Sequence, residues 1–253
     1  MDDSNTEIMG KKVFFLHPSA FVKNSVIDDL IQQEFEVYLV SDEIKIQRAL
    51  RKYPGSVVFI CSDEALSLRE WETWVRQTLE DKTIKDVNMG IISHTDTDEV
   101  RKVLGAYHIP CGLILIKTNK EKAIKNLMDA LKAVEAKGRR KYLRVPGEAK
   151  TTVSLPSGDT YIKGEILDIS VVGFSCVFSC DMRLEKNALF HDIQVKLQTM
   201  LLKVEGIVIG SREEEGKTIY VFLFTPKSAS AVKEKIRVYV QKRLQSLMEE
   251  EIR

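Results

Sequence analysis

Gly138-Arg139-Arg140-Lys141-Tyr142-Leu143-Arg144 separates two different patterns in this chain. Before it, short apolar runs alternate with amphipathic stretches of helical period. After it, strand-like runs follow one another with little but turns between them.

Upstream, Val13-Phe14-Phe15-Leu16, Glu36 to Val40, Ser56-Val57-Val58-Phe59-Ile60-Cys61, Met89-Gly90-Ile91-Ile92 and Gly112-Leu113-Ile114-Leu115-Ile116 read as strands. Their near-continuous apolar character suits strands buried on both faces. The segments between them read as helices. Ser19 is a possible N-cap for one that carries Val22, Val26, Ile27, Leu30 and Ile31. Ile44, Ile46, Ala49 and Leu50 suggest a second, stopped near Pro54-Gly55. Leu66 to Leu79, with Trp71, Trp74 and Val75, suggests a third, and Thr97 to Tyr107 a fourth. Lys120 to Lys137 has Ile124, Leu127, Leu131 and Val134 at helical spacing, with Gly138 placed to end it. Residues 1–137 therefore read as an α/β domain, a doubly wound parallel five-stranded sheet of flavodoxin-like type.

Downstream, Ala149 to Leu155, Tyr161 to Ile169, Phe174 to Phe178, Ile193 to Leu197, Leu201 to Ile209 and Thr218 to Phe224 are strand candidates. Pro156-Ser157-Gly158-Asp159 and Glu213-Glu214-Glu215-Gly216 separate some of them. Many strands with few helices indicate an antiparallel β architecture for residues 138–253. Pro226 and Ser228 open a final helix bearing Val232, Ile236, Val240, Leu244 and Leu247.

At 253 residues the chain accommodates two domains, and 44% hydrophobic with 30% charged residues is a globular composition. A net charge of +1 gives no global field for nucleic acid or a membrane surface. No apolar run is long enough to span a bilayer, and Met1-Asp2-Asp3-Ser4-Asn5 does not resemble a secretory signal. Cys61, Cys111, Cys176 and Cys180 are scattered among apolar residues, which suits reduced thiols in a cytoplasm. The spacing of Cys176 and Cys180 is neither the usual zinc nor the usual redox spacing, and His17, His94, His108 and His191 show no metal-ligand spacing. No nucleophile-elbow or P-loop motif is present, and no cofactor is expected. Asp96 and Asp98, near His94, are best placed to cap the helix that follows.

Two short motifs remain. Arg140 and Arg144 form RxxxR, four residues apart, and would converge if the segment turned helically. A guanidinium binds phosphate bidentately, stacks on flat bases and matches the O6 and N7 edge of guanine. Asp168-Ile169-Ser170-Val171-Val172-Gly173 forms DxSxxG. Asp168 can accept hydrogen bonds from a guanine, Ser170 offers a hydroxyl, and Gly173 permits close backbone approach or positive φ. Each motif alone has a plain structural explanation: a solvated charge run, or a β-turn with Asp and Ser bonded to local backbone.

In order, spacing and context, the two motifs resemble those of the PilZ family of bacterial receptors for cyclic di-GMP, across roughly residues 138–226. Gly206 and Val221-Phe222-Leu223-Phe224 continue the resemblance. A departure is Tyr220-Val221-Phe222, where many relatives carry a glycine before the last apolar residues. The resemblance implies a six-stranded antiparallel barrel with a C-terminal helix. It also implies that Arg140 and Arg144 hold phosphates and a guanine edge, that Arg139 stacks or adds charge, and that Asp168, Ser170 and Gly173 surround the other guanine. The implied protein is a cytoplasmic effector and not an enzyme. It would change its interdomain arrangement on binding ligand and signal through a protein partner, such as flagellar or signalling machinery, in motility, adhesion or virulence control.

The upstream half resembles a response-regulator receiver. Ser93 and Lys117 stand where a receiver keeps its hydroxyl and lysine. The paired carboxylates that hold Mg²⁺ are replaced by His17-Pro18, and Asp63 in Cys61-Ser62-Asp63 lies slightly past the acceptor position. This implies a pseudo-receiver without aspartyl phosphorylation, used for protein contact or dimerisation. Two rivals stand beside the receptor reading. One is a ligand-independent adaptor whose basic stretch touches a partner. The other is nucleic-acid binding through Lys137, Arg139, Arg140, Lys141 and Arg144, which the near-neutral total charge disfavours.

Overall fold

A computed structural model describes residues 10–116, 120–180, 182–226 and 230–253, with backbone only for 103–105. Lys117, Ser228 and Met1–Asn5 lie outside the described residues. The chain forms two compact units, Met1–Lys141 with Leu244–Arg253, and Tyr142–Arg243.

The first unit holds β1 (Val13–Leu16), β2 (Val37–Val40), β3 (Val57–Cys61), β4 (Asn88–Ser93) and β5 (Leu113–Leu115). They form one parallel sheet in the order β2-β1-β3-β4-β5, the expected doubly wound arrangement. The apolar runs are buried as their composition requires: all of β1 and of β3 is buried. Phe15 and Phe59 stack across the two strands at 5.4 Å between ring centroids.

The helices follow their caps. A π-helical turn, Val22–Val26, precedes α1 (Ile27–Gln32), with the Ser19 hydroxyl accepting from Val22 N. Asp42 caps α2 (Glu43–Lys52) by accepting from Ile44 N and Lys45 N. Ser67 and Glu70 form a capping box that starts α3 (Leu68–Glu80) two residues later than the apolar pattern suggests. At α4 (Asp98–Ala106) it is Thr97 whose hydroxyl accepts from Val100 N, while Asp96 pairs with Arg101; the expected Asp96 cap is thus corrected. α5 (Lys120–Ala133) ends before Gly138. Glu135 takes the left-handed conformation there (φ 50°), and Ala136 N closes back on Leu131 O at 2.9 Å.

The second unit is antiparallel. β7 (Thr151–Ser157), β8 (Thr160–Ser170), β9 (Gly173–Phe178), β10 (Leu189–Leu197), β11 (Met200–Glu214) and β12 (Lys217–Phe224) run in the order β8-β7-β10-β11-β12-β9, and β9 pairs back onto β8. This closes a six-stranded barrel. Alternate residues fill it, as in the buried Thr151, Val153 and Leu155 of β7. Phe174 and Phe222 stack inside at 5.0 Å. A short strand that sequence reading missed, β6 (Arg144–Pro146), lies along β8.

The final helix, α6 (Ser230–Glu251), is assigned to both units, up to Arg243 in the second and from Leu244 in the first. Within the second, Tyr239 and Thr151 share a hydroxyl hydrogen bond at 3.0 Å and Ile236 is fully buried. Within the first, Met248 and Ile252 are buried, and the Gln245 amide bonds both Leu39 N and Leu39 O. The helix end therefore groups with the first unit, where sequence reading had placed it in the second. Among the described residues, no helix is long and apolar enough to cross a membrane.

Candidate functional site

The two motifs meet on neighbouring strands. β6 pairs with β8 so that Arg144 stands opposite Ser170 and Pro146 opposite Asp168. The pairing of β8 with β9 slips between Ile166 and Asp168, a β-bulge that leaves Asp168 opposite Ser175. Bulges of this kind re-aim side chains at functional rims. Here the Asp168 carboxylate accepts a 2.5 Å hydrogen bond from Ser175 Oγ, and Arg144 Nη1 lies 3.6 Å from its other oxygen. The Arg144 and Asp168 side chains are 49% and 32% exposed, so both present polar atoms to solvent. At that distance and exposure the pair is loose, worth about 1 kcal/mol or less. Its members can exchange each other for a ligand at small cost.

Ser170 plays a different part. It is only 2% exposed, and its hydroxyl donates to Gly173 O at 3.2 Å. It builds the turn between β8 and β9 instead of offering a free hydroxyl at the surface. Gly173 does not have a positive φ. Its role is close approach, since a Cβ there would sit 2.0 Å from Phe222 O.

Arg139 and Arg140 are exposed and belong to the first unit, with Arg144 in the second. The helical turn is absent: Arg139, Lys141 and Tyr142 are bends, Arg140 and Leu143 are irregular, and Arg144 begins β6. Helical spacing is therefore not what would bring Arg140 and Arg144 to one ligand. Sequence reading grouped Arg139, Arg140, Arg144, Asp168, Ser170 and Gly173, of which strand pairing brings the last four together, and missed Ser175. Its only sequence signal is a small polar residue in an otherwise apolar strand, seven residues past Asp168.

At the carboxyl ends of the first unit's strands, Asp63 accepts from Ser93 Oγ at 2.9 Å and from His94 N at 2.5 Å. His17, at φ 49°, pairs with Glu43 at 2.7 Å and lies edge-on to Trp71. Among the described residues no group of three or more His, Cys, Asp and Glu side chains is placed to hold a metal ion.

The chain is similar to solved PilZ-domain structures. One is the PilZ domain of YcgR from Escherichia coli with c-di-GMP, at 16% identity and a TM-score of 0.39, over 44% of this chain and 96% of that one. A second is the Bacillus subtilis inhibitor of motility, MotI or DgrA, at 16% identity and a TM-score of 0.38, over 44% of this chain and 53% of that one. A third is the K. pneumonia MrkH–c-di-GMP complex, at 16% identity and a TM-score of 0.35, over 46% of this chain and 55% of that one. The chain thus spans about half the length of the latter two. No protein-family model matches the chain, and no curated protein does.

Proposed function

We propose that the protein is a receptor for cyclic di-GMP, with the ligand held at the β6–β8 rim by Arg144 and Asp168 and by Arg140 and Arg139 from the preceding segment. The observation that carries this is the Arg144–Asp168 juxtaposition. The end of the basic motif and the start of the acidic one, 24 residues apart in sequence (168 − 144), are fixed side by side by strand register. A guanidinium and a carboxylate so placed match an anionic ligand that also carries guanine edges. Ser170 and Gly173 act indirectly, by shaping the turn that holds Asp168. The protein is an effector and not an enzyme. Ligand draws the Arg139–Leu143 segment onto the barrel, changes the arrangement of the two units and alters a protein contact, with motility, adhesion or virulence control as the output.

Titration calorimetry of cyclic di-GMP against wild type and Arg140→Ala/Arg144→Ala, with GTP as a control, tests the ligand. Saturable cyclic di-GMP binding that is at least tenfold weaker in the double variant is expected, whereas any GTP binding elsewhere on the chain should be unchanged in that variant. Folded wild-type protein that gives no saturable binding by calorimetry or a second method would sink the proposal. A ligand-dependent change in hydrodynamic radius tests the rearrangement separately.

A second reading, a ligand-independent adaptor, is favoured by Ser170, whose hydroxyl is committed to the turn. It predicts that partner affinity survives Arg140→Ala/Arg144→Ala.

A further inference from the structure

The first unit contains a cleft of about 880 Å³ that the receptor reading touches only at Arg139. Its size falls within the roughly 300–1,000 Å³ of small-molecule sites. Gly10 and Lys11 before β1, Gln33 and Phe35 after α1, and the end of α5 with the residues that follow it form the walls. Phe35 and Met128, 4% and 9% exposed, are the apolar side chains that reach its floor. The rim carries Lys11, Lys132, Lys137 and Arg139 against the single carboxylate of Glu135. Asp129 lies beside Lys132, which leaves Lys11 and Lys137 as the cations that stand out on this rim, in a protein whose net charge is +1.

Cations near a helix end often serve only to complement the backbone dipole, which is equivalent to about half a charge. That explanation falls short here. The closing carbonyls of α5 are already used: Ala130 O accepts from Val134 N, Leu131 O from Ala136 N and Lys132 O from Glu135 N. Half a charge also offsets only a small part of the two charges of Lys11 and Lys137. Lys132 has a neighbour in Asp129 at 3.8 Å. Among the described residues, Lys11 and Lys137 make no ion pair. The Lys137 ammonium instead lies 5.7 Å from the centroid of the Phe35 ring. The wall between them is built by close backbone approach: Gly10 has φ +80°, and a Cβ on it would sit 2.5 Å from Gly138 N. Lys11 N also bonds Ala136 O at 2.8 Å, so the two sides of the cleft are tied directly.

We propose that this cleft is a second binding site, for an organic phosphate of nucleotide size. Lys11, Lys137 and Arg139 take the phosphates, and the apolar floor takes the body of the ligand. The site lies wholly within the first unit and does not depend on the cyclic di-GMP reading. Arg139 borders it, so an occupant holds the start of the basic motif.

The test is titration of the full chain with ATP and with inorganic pyrophosphate, for wild type, Lys11→Gln/Lys137→Gln and Arg144→Ala. Saturable ATP binding is expected, at least tenfold weaker in the double lysine variant and unchanged in Arg144→Ala. Pyrophosphate, which lacks an apolar body, is expected to bind at least tenfold more weakly than ATP. No saturable ATP binding to the folded chain overturns the site, as does unchanged affinity in the lysine variant. Loss in Arg144→Ala with retention in the lysine variant assigns the anion to the barrel rim and overturns it too. Pyrophosphate binding as tightly as ATP removes the floor from the recognition and overturns the proposed ligand class.

Discussion

The carboxyl edge of the parallel sheet and the rim of the barrel each carry an aspartate at the end of a strand, and the two are held differently. Asp63 has both oxygens engaged at hydrogen-bond distance, by Ser93 Oγ and His94 N. Asp168 has one oxygen held by Ser175, while the other faces Arg144 at 3.6 Å. The first arrangement is satisfied by its own fold and gives a ligand little to displace. The second is oriented on one side and loosely paired on the other. Preorganisation with an exchangeable partner is what a binding site requires.

The comparison can be broken most forcefully at Gly173. Gly173→Ala places a methyl against Phe222 O and should cost about 3 kcal/mol, or roughly 15 °C in melting temperature, read by thermal unfolding. An unchanged melting temperature would mean that the turn has room to relax and that the glycine is present for the ligand alone.

Ser175→Ala removes the hydrogen bond that orients Asp168. Cyclic di-GMP binding should weaken about fivefold, for a loss near 1 kcal/mol, with little change in melting temperature. Asp63→Ala is the counterpart in the first unit. It should lower stability by about 1 kcal/mol and leave cyclic di-GMP affinity unchanged, by denaturant titration and calorimetry respectively. A loss of affinity in Asp63→Ala would show that the two edges are energetically coupled.

The smallest effect is chemical. Burial pushes the Cys61 thiol up to about 12 and that of Cys111 to about 11, and it raises Cys176 further, whereas Cys180 is exposed. A raised thiol pKa means that the thiolate appears only as pH rises well past neutrality. At pH 8 iodoacetamide should therefore label Cys180 alone in the native protein and all four cysteines after denaturation, read by mass spectrometry.

Much of the fold is legible in the sequence because the pattern is strong. Val57–Cys61 is apolar throughout and buried throughout, and Thr151 to Leu155 alternates as a half-buried strand must. What escaped depended on pairing or local geometry. β6 is three residues long and ends in proline, too short to show a period. The end of α5 was assigned to Gly138 because glycine is the usual left-handed residue, yet Glu135 takes that conformation. At the site, Arg144 and Asp168 were visible as motif members. Ser175 was not, because its role exists only through the slip in register between β8 and β9.

The last turns of α6 also act as an edge guard. β2 is an outer strand of the parallel sheet, and an unpaired outer strand offers its backbone to other chains. Gln245 occupies both backbone groups of Leu39 on that strand with a single side-chain amide. A fragment that stops at Lys141 would keep all five strands of the sheet and lose this guard. It would present a bare strand edge, and self-association through that edge is the behaviour to expect of it.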